Sequence, residues 1–354
     1  MYNAERYIAE CLDSLLAQTF ANFEVIIVND CSTDSSCAIV ESYASKFNGR
    51  LTLSRMEKNS GSGALPRNKG LELSRGEYIF NMDNDDLLTK TALEELYTLA
   101  KDFDADVVYC EKYFMSSGMG QDFKKNVHPA DFKIQKPPFV NEPLFEPENL
   151  SERIKNILGE RFWVTPWLKL VRRNLLIENR LFFPNLTISD DDIWTYGLVF
   201  CAKKFLRVPN AVYIRRMRED SLSFIKRTPQ QKINFWLNPI LFGLKLLDKF
   251  MSRHEFFRLN PQFRYAVLDA FVAGRFGAIF EGAAQLQPFE VYETIKHEFG
   301  EKLGENDVLL CALCTALNTQ QKINVINQQQ FNQFAAQAQA RIAQLEAEVK
   351  RLQL

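Results

Sequence analysis

Four residues that could bind a metal ion, Asp83-Asn-Asp-Asp86, directly follow the apolar run Tyr78–Met82. Such a run is typical of a buried strand, and ligands of open α/β sheets bind beyond the carboxyl ends of strands. Carboxylate oxygens suit Mg²⁺ or Mn²⁺, which commonly join one or two carboxylates to a diphosphate. The alternative is a solvated acidic turn, because Asp-x-Asp is common by itself.

A second acidic cluster, Asp190-Asp-Asp192, precedes Ile193-Trp194 and a predicted helix that runs to Lys203. Carboxylates are favoured at a helix N-terminus by the helix dipole, which would account for the cluster without any function. The functional alternative is a general base that faces the metal site across a cleft.

Two further residues could bind a nucleotide. Asp30 ends the β-branched run Phe23–Asn29 and could accept the imide N–H of a pyrimidine, although Asp is also an ordinary turn residue. Arg67 follows the glycine-rich loop Asn59–Pro66 and could donate to a diphosphate. The loop has neither the Walker A nor the Rossmann spacing, so it does not predict an ATPase or a dinucleotide enzyme.

Strands that alternate with helices must position these residues. The apolar patterns predict strands over 23–29, 51–54, 78–83 and 107–110 with helices between them, which favours an α/β fold with a doubly wound, mostly parallel sheet. This alternation fades after residue 114, and residues 228–318 have a helical pattern. We therefore predict four segments: 1–114, 115–226, 227–318 and 319–354.

Composition narrows the class of protein. The 354 residues are 46% hydrophobic and 25% charged, with 43 Lys and Arg against 44 Asp and Glu. A net charge of −1 gives no bulk attraction to nucleic acid. The seven cysteines are scattered, and no apolar run is long enough to cross a membrane. We expect a cytoplasmic protein, free or peripheral at the inner face of the membrane.

The last segment carries a heptad pattern. Apolar residues recur at alternating spacings of four and three: Phe331, Ala335, Ala338, Ile342, Leu345, Val349 and Leu352. This pattern predicts a C-terminal coiled coil that makes a homo-oligomer. A single helix packed on its own domain is the alternative.

Several motifs occur in order along the first part of the chain: Tyr2-Asn-Ala-Glu-Arg-Tyr-Ile8, Val28-Asn-Asp-Cys-Ser-Thr-Asp34, Gly63-Ala-Leu-Pro-Arg-Asn-Lys-Gly70, Arg75-Gly-Glu-Tyr78 and Met82-Asp-Asn-Asp-Asp86. Three more follow: Trp167-Leu-Lys-Leu170, Asp190-Asp191 and Arg218-Glu-Asp-Ser-Leu-Ser223. Taken in this order, they resemble the earlier and later motifs of family-2 glycosyltransferases, which have the GT-A fold. The resemblance covers residues 1–225 and departs mildly at Asn29, Cys31 and Asp190.

The resemblance implies a nucleotide-sugar donor, usually a UDP-sugar, and a divalent metal, Mn²⁺ or Mg²⁺. By position, Asp30 would bind the uracil with Tyr2 nearby. Arg67 would bind the base or the diphosphate, and Asp83 would face the ribose and the sugar. Asp85 would ligate the metal.

The resemblance also implies inversion at the anomeric carbon, with Asp191 as the catalytic base. The acceptor would be a glycan or a lipid-linked saccharide. Four residues are weaker candidates for binding it: Trp167, Lys169, Asp190 and Trp194. Tryptophan rings could stack on sugar faces, but tryptophan is also common in protein cores.

The beginning of the chain departs from the family pattern. Family members open with a hydrophobic strand that runs into Pro-x-Tyr-Asn, whereas Met1-Tyr2-Asn3 occupies only the last three positions. We expect that the chain begins late and lacks a strand beside Phe23–Asn29. The alternative is that another segment or chain fills that place.

These observations predict an inverting hexosyl- or N-acetylhexosaminyltransferase of polysaccharide biosynthesis. The alternative is a catalytically impaired GT-A scaffold that acts as an oligomerising interaction protein. Mn²⁺-dependent release of sugar from the donor would separate the two.

Overall fold

The computed structural model describes residues 1–116, 127–129, 140–159, 163–218 and 225–303, together with 315, 319, 322–323 and 326–341. The chain forms two compact units. Unit one comprises Met1–Ile225 and Asn238–Val272, and unit two comprises Lys226–Leu237 and Ala273–Leu354. The four-segment division stays a prediction.

Unit one begins with a small parallel sheet, in which β1 (Val25–Asn29) pairs with β2 (Leu51–Arg55). Helices α1 (Ile8–Leu16) and α2 (Ser36–Tyr43), with the short 3₁₀ helix Ala44–Phe47, pack around it. Their apolar faces form a buried cluster, as the helical spacing of α1 predicts: Ile8, Leu12, Val40 and Phe47.

A seven-stranded sheet forms the rest of the strand framework. Its main path is β3–β8–β5–β9–β4, with β6 beside β5 and β7 beside β9. The strands are β3 (Tyr78–Phe80), β4 (Leu87–Leu88), β5 (Val107–Ser116), β6 (Val127–Pro129), β7 (Leu144–Phe145), β8 (Lys169–Arg172) and β9 (Phe205–Arg216).

The expectation of a mostly parallel sheet is wrong. Among the described residues, β1–β2 and β5–β9 pair in parallel, and the other five pairings are antiparallel. Apolar runs show where strands lie but carry no information on their direction. The sheet is mixed because strands from distant parts of the chain pair in the antiparallel direction, as β8 does with β3 and β5.

The helices of the chain continue with α3 (Ala64–Leu73), α4 (Ala92–Asp102), α5 (Leu150–Leu158), α6 (Arg173–Glu178), α7 (Asp190–Cys201), α8 (Pro229–Asn238), α9 (Leu244–Met251), α10 (Glu255–Leu259), α11 (Pro261–Ala283) and α12 (Pro288–Leu303). A 3₁₀ helix covers Pro166–Leu168, and a π-helical turn, Pro239–Gly243, joins α8 to α9. None of the helices in the described part of the chain is both long and apolar enough to span a membrane.

The first residue continues the small sheet. The amino group of Met1 donates to the Val28 carbonyl at 2.7 Å, and the Asp30 amide donates to the Met1 carbonyl at 2.8 Å. Within the described residues, no strand pairing joins β1 to the seven-stranded sheet. The additional strand expected beside β1 stays a prediction.

Unit two is helical in its described residues. Ile233, Val291 and Ile295 are buried, and Lys232 pairs with Glu281 at 2.7 Å. Residues 326–341 are helical, and Phe331 in this helix is 64% exposed. Ala335 and Ala338 of the predicted seam lie in the same helix. The last four seam positions lie outside the described residues, so the coiled coil stays a prediction: Ile342, Leu345, Val349 and Leu352.

Candidate active site

Carboxylates from two distant segments meet near the end of β3. The loop after this strand carries Asp83, Asp85 and Asp86, and the first turn of α7 carries Asp190 and Asp191. We call these five carboxylates the acidic centre; Arg67 contacts three of them and Arg218 contacts Asp85. The sheet therefore brings together the two acidic clusters that the sequence separates by about a hundred residues.

The cluster Asp83, Asp85 and Asp86 has the composition of a divalent metal site. One carboxylate oxygen from each residue lies within 4.8 Å of the others. Burial, reinforced by Asp83, raises the pKa of the Asp85 carboxyl, while Arg218 acts in the opposite direction. Burial and the neighbouring carboxylates also raise the pKa of Asp86. Crowded, half-buried oxygen ligands of this kind fit Mg²⁺ or Mn²⁺.

Residues of strand β9 fix the loop that carries Asp83, Asp85 and Asp86. The Tyr213 hydroxyl donates to Asp86 Oδ2 at 2.7 Å and accepts the Asp83 backbone N–H at 3.1 Å. The Arg216 backbone N–H donates to Asp86 Oδ1 at 2.7 Å. Trp167 stacks on the Tyr213 ring with centroids 4.5 Å apart. Asp86 is therefore fixed by the protein, which leaves Asp83 and Asp85 as the more available ligands.

Two arginines at the end of β9 contact Asp85. Arg218 Nε lies 2.5 Å from Asp85 Oδ2, and Arg216 Nε donates to the Asp85 carbonyl at 3.0 Å. Arg216 also pairs with Glu10 at 2.5 Å, and both guanidinium groups lie over the Tyr7 ring. These contacts balance part of the negative charge in the acidic centre.

Arg67 connects the two acidic clusters through a single guanidinium group. Its Nη2 lies 3.0 Å from Asp83 Oδ1, and its Nη1 lies 3.1 Å from Asp191 Oδ1 and 3.4 Å from Asp190 Oδ2. Burial opposes the charged form of Arg67, but the three carboxylates outweigh this effect and raise its pKa. The carboxylates of Asp83 and Asp191 consequently contact the two terminal nitrogens of one guanidinium group.

Asp191 has the properties of a group that can exchange a proton near neutral pH. Its side chain is 30% exposed. Burial raises the pKa of its carboxyl to about 8, against the effect of Arg67 and with a contribution from Asp190. The position of Asp190 and Asp191 in the first turn of α7 also agrees with the helix-dipole interpretation. The two interpretations are compatible.

Asp30 is held by the glycine-rich loop. Its carboxylate accepts from the Ser60 N–H at 2.9 Å and from the Ser60 hydroxyl at 2.8 Å. The Asn59 amide donates to the Asp30 carbonyl at 2.9 Å. The adjacent Cys31 has φ 61°, in the left-handed region that glycine adopts most easily. The departure at Cys31 noted in the sequence thus falls on a position where backbone geometry favours glycine.

The weaker acceptor candidates lie in the core, apart from Asp190. Trp194 is 2% exposed, stacks on Phe183 and donates to the Leu181 carbonyl. Lys169 is fully buried and donates to the carbonyls of Trp163 and Thr165. Trp167 is buried against Tyr213. This burial favours the core interpretation of these residues over acceptor binding.

Tyr2, by contrast, is 53% exposed and available to a ligand. Several residues of the site were not predicted from the sequence: Glu10, Ser60, Tyr213 and Arg216. Ser60 lies in a loop that the sequence singled out, and Arg216 lies two residues before the Arg218 motif. Tyr213 has no local signal, because an aromatic residue in a strand is ordinary.

The comparisons with known proteins identify the family. Residues 1–176 match the sequence model of glycosyl transferase family 2. A relative named uncharacterized glycosyltransferase EpsJ, from Bacillus subtilis strain 168, is 30% identical over 270 residues, which cover 72% of this chain and 74% of EpsJ. The chain belongs to family-2 glycosyltransferases and is a glycosyltransferase.

A second relative is the poly(ribitol-phosphate) beta-N-acetylglucosaminyltransferase TarS of Staphylococcus aureus strain MW2. It is 33% identical over 216 residues, which cover 60% of this chain and 33% of TarS. The crystal structure of S. aureus TarS 1–349 in complex with UDP superposes with a TM-score of 0.60 at 23% identity, covering 90% of this chain and 86% of that one. The GT-A fold expected from the sequence is confirmed.

Proposed function

We propose that this protein is an inverting glycosyltransferase that moves a sugar from a UDP-sugar to a hydroxyl group of a glycan or lipid-linked saccharide. One observation carries the proposal: Arg67 joins Asp83 and Asp191 through one guanidinium group. A candidate ligand of the donor and a candidate base are therefore neighbours, as a single displacement at the anomeric carbon requires.

In the proposed reaction the acceptor hydroxyl attacks the anomeric carbon of the donor. Asp191 takes the hydroxyl proton, the bond between the anomeric carbon and the diphosphate oxygen breaks, and UDP leaves with that electron pair. One displacement inverts the configuration. Asp191 must be deprotonated to act, and the contact of its carboxylate with Arg67 Nη1 holds it in place.

The donor would be bound by Arg67 itself and by residues of the first part of the chain. Asp30, at the end of β1, would accept the uracil imide N–H, with the exposed ring of Tyr2 nearby in sequence. Asp83 would face the ribose and sugar, and Arg67 would exchange a carboxylate partner for a diphosphate oxygen. The structures of TarS in complex with UDP and with UDP-GlcNAc support UDP as the nucleotide.

A divalent cation fits the acidic centre. Asp85, with Asp83, would hold Mn²⁺ or Mg²⁺, because their oxygens are close together and Asp86 is already engaged by Tyr213 and Arg216. When bound, such an ion stabilises the charge of the departing diphosphate. The five carboxylates of the centre face the guanidinium groups of Arg67 and Arg218, which leaves negative charge for the cation to balance.

The donor can be tested with a panel of UDP-sugars. In the presence of Mn²⁺, one or more should raise the melting temperature, because a ligand that binds only the folded state stabilises it by mass action. The same sugars in EDTA should give a smaller shift. If no UDP-sugar changes the melting temperature with Mn²⁺ present, the donor assignment is wrong.

We also propose that the C-terminal heptads associate with a second copy of the chain, because Phe331 is largely exposed on its helix. Ile342→Asp should lower the mass measured by light scattering, since a carboxylate in the seam loses its hydration on association. Gln344→Asp, outside the seam, is the matched control. An unchanged mass for Ile342→Asp would contradict association through this helix.

A further inference from the structure

A second concave site lies in unit one. It is a pocket of about 270 Å³ lined by three segments: Ser60–Ser62 of the glycine-rich loop, Asn185–Thr187 before α7, and Asn238 with Phe242. We call it the neutral pocket, because none of its lining residues is charged. Its volume is slightly below the ~300–1,000 Å³ typical of small-molecule sites, which leaves room for about one sugar ring.

Two of the segments that line the neutral pocket lie close to the proposed base, Asp191. Thr187 lies three residues before Asp190, where α7 begins. Ser62 precedes Gly63, where an added Cβ would lie 3.1 Å from Nη1 of Arg67. That same Nη1 contacts Asp191. A group bound in the pocket would thus be beside the base without occupying the place of the metal ligands.

The pocket offers hydrogen-bonding groups that the protein does not use. In the described part of the chain, the side chains of Asn185, Thr187 and Asn238 make no hydrogen bond, and the first two are exposed. Amide and hydroxyl groups both donate and accept, as sugar hydroxyls do. Phe242 supplies an aromatic surface against which the C–H face of a sugar can pack.

The charge around the pocket selects against anions. Its lining has no cation, and the nearby guanidinium of Arg67 is shared among three carboxylates and, in the proposed reaction, the diphosphate of the donor. A phosphate would therefore meet the acidic centre without a compensating charge, which is unfavourable. We propose that the neutral pocket binds the terminal, uncharged sugar of the acceptor and presents its hydroxyl to Asp191. This inference rests on the proposed function.

The test measures binding of small acceptor probes. Saturation-transfer NMR would use methyl glycosides of glucose, galactose, mannose and N-acetylglucosamine, with glycerol 3-phosphate as the anionic probe. At least one neutral glycoside should bind, and the phosphate should not. The double variant Asn185→Ala/Thr187→Val should weaken that binding by about tenfold, as loss of two hydrogen bonds predicts. Thr52→Val, an exposed threonine on β2, is the control.

The outcomes separate this inference from the proposed function. Hydrolysis of a UDP-sugar without an acceptor should be the same in the double variant as in the parent, because the donor site is intact. If no neutral glycoside binds, if the double variant binds it as well as the parent, or if glycerol 3-phosphate binds better, the pocket assignment is wrong. Failure of the parent to bind any UDP-sugar would instead refute the proposed function.

Discussion

The acidic centre and the neutral pocket both lie near one arginine, Arg67, and differ in charge and in the groups that they offer to a ligand. The acidic centre crowds five carboxylates around Arg67 and Arg218, and burial raises the pKa of several of them. The neutral pocket has amide, hydroxyl and aromatic groups and no charge. Under the proposed function, the acidic centre would balance the charge of the donor and the neutral pocket would bind an uncharged acceptor.

The largest expected effect comes from removing the proposed base, Asp191. Asp191→Asn should lower kcat by ~10²-fold or more, because general-base catalysis contributes that much. UDP-sugar binding and methyl glycoside binding should remain, since neither side of Arg67 loses its other contacts. Steady-state kinetics with the thermal-shift assay would measure both quantities.

Asp192→Asn is the matched control for this variant, because it changes the next carboxylate of the same helical turn. It should keep turnover close to that of the parent. Near-normal turnover by Asp191→Asn would remove Asp191 from the mechanism, and an equal loss in Asp192→Asn would mean that charge alone matters.

The second effect concerns the proposed metal ligand, Asp85. Asp85→Ala should weaken metal-dependent UDP binding by about tenfold or more, because the diphosphate would then meet the remaining carboxylates without a cation. Calorimetric titration with UDP in Mn²⁺ and in EDTA would measure this. Methyl glycoside binding in the neutral pocket should be unchanged.

Asp102→Ala, an exposed acid at the end of α4, is the control for charge removal. If Asp85→Ala binds UDP as tightly as the parent with Mn²⁺, and EDTA has no effect on either, the metal site is wrongly assigned.

A smaller effect should appear in the pH dependence. The raised pKa of Asp191, about 8, means that its base form is lost as the pH falls below that value. We expect kcat/KM to fall by about tenfold per pH unit on the acid side of this pKa. Rates measured with Mg²⁺ between pH 6 and pH 9 would show this decrease on the acid side of the pH–rate profile. A flat profile over this range would contradict the assignment.

The same shift has a consequence for stability. The pKa of Asp191 is higher in the folded protein than in an unfolded chain, so the folded state holds its proton more readily. Between these two pKa values, the contribution of this group to stability decreases as the pH rises. The melting temperature of Asp191→Asn at pH 7 should therefore be equal to or above that of the parent, which separates loss of activity from loss of fold.

Site residues that are placed by the sequence next to them were easier to predict than site residues that are placed by contacts between distant segments. Asp83 and Asp85 follow an apolar strand, and this local arrangement placed them at the end of β3. The contact between Arg67 and Asp191 spans 124 positions, and no periodicity reveals such a distance. The resemblance to a family brought these residues together in the prediction, whereas their local patterns did not.

Packing also explains where the sequence misled. Trp194 could face a cleft or, as is commoner for tryptophan, a core, and α7 turns it towards Phe183 in the core. The exposed polar residues Asn185 and Thr187, by contrast, have no motif or period, so the sequence did not single them out. Strand direction was missed for a similar reason, because apolar alternation is the same in both directions.

Inversion at the anomeric carbon is the most direct test of the central claim. The parent would be incubated with Mn²⁺ and the α-linked UDP-sugar that stabilises it most, with water as the acceptor. Proton NMR would then record the first free sugar before its anomers equilibrate. We predict that the β-anomer appears first, as single displacement assisted by Asp191 requires. Initial release of the α-anomer would contradict the proposed mechanism.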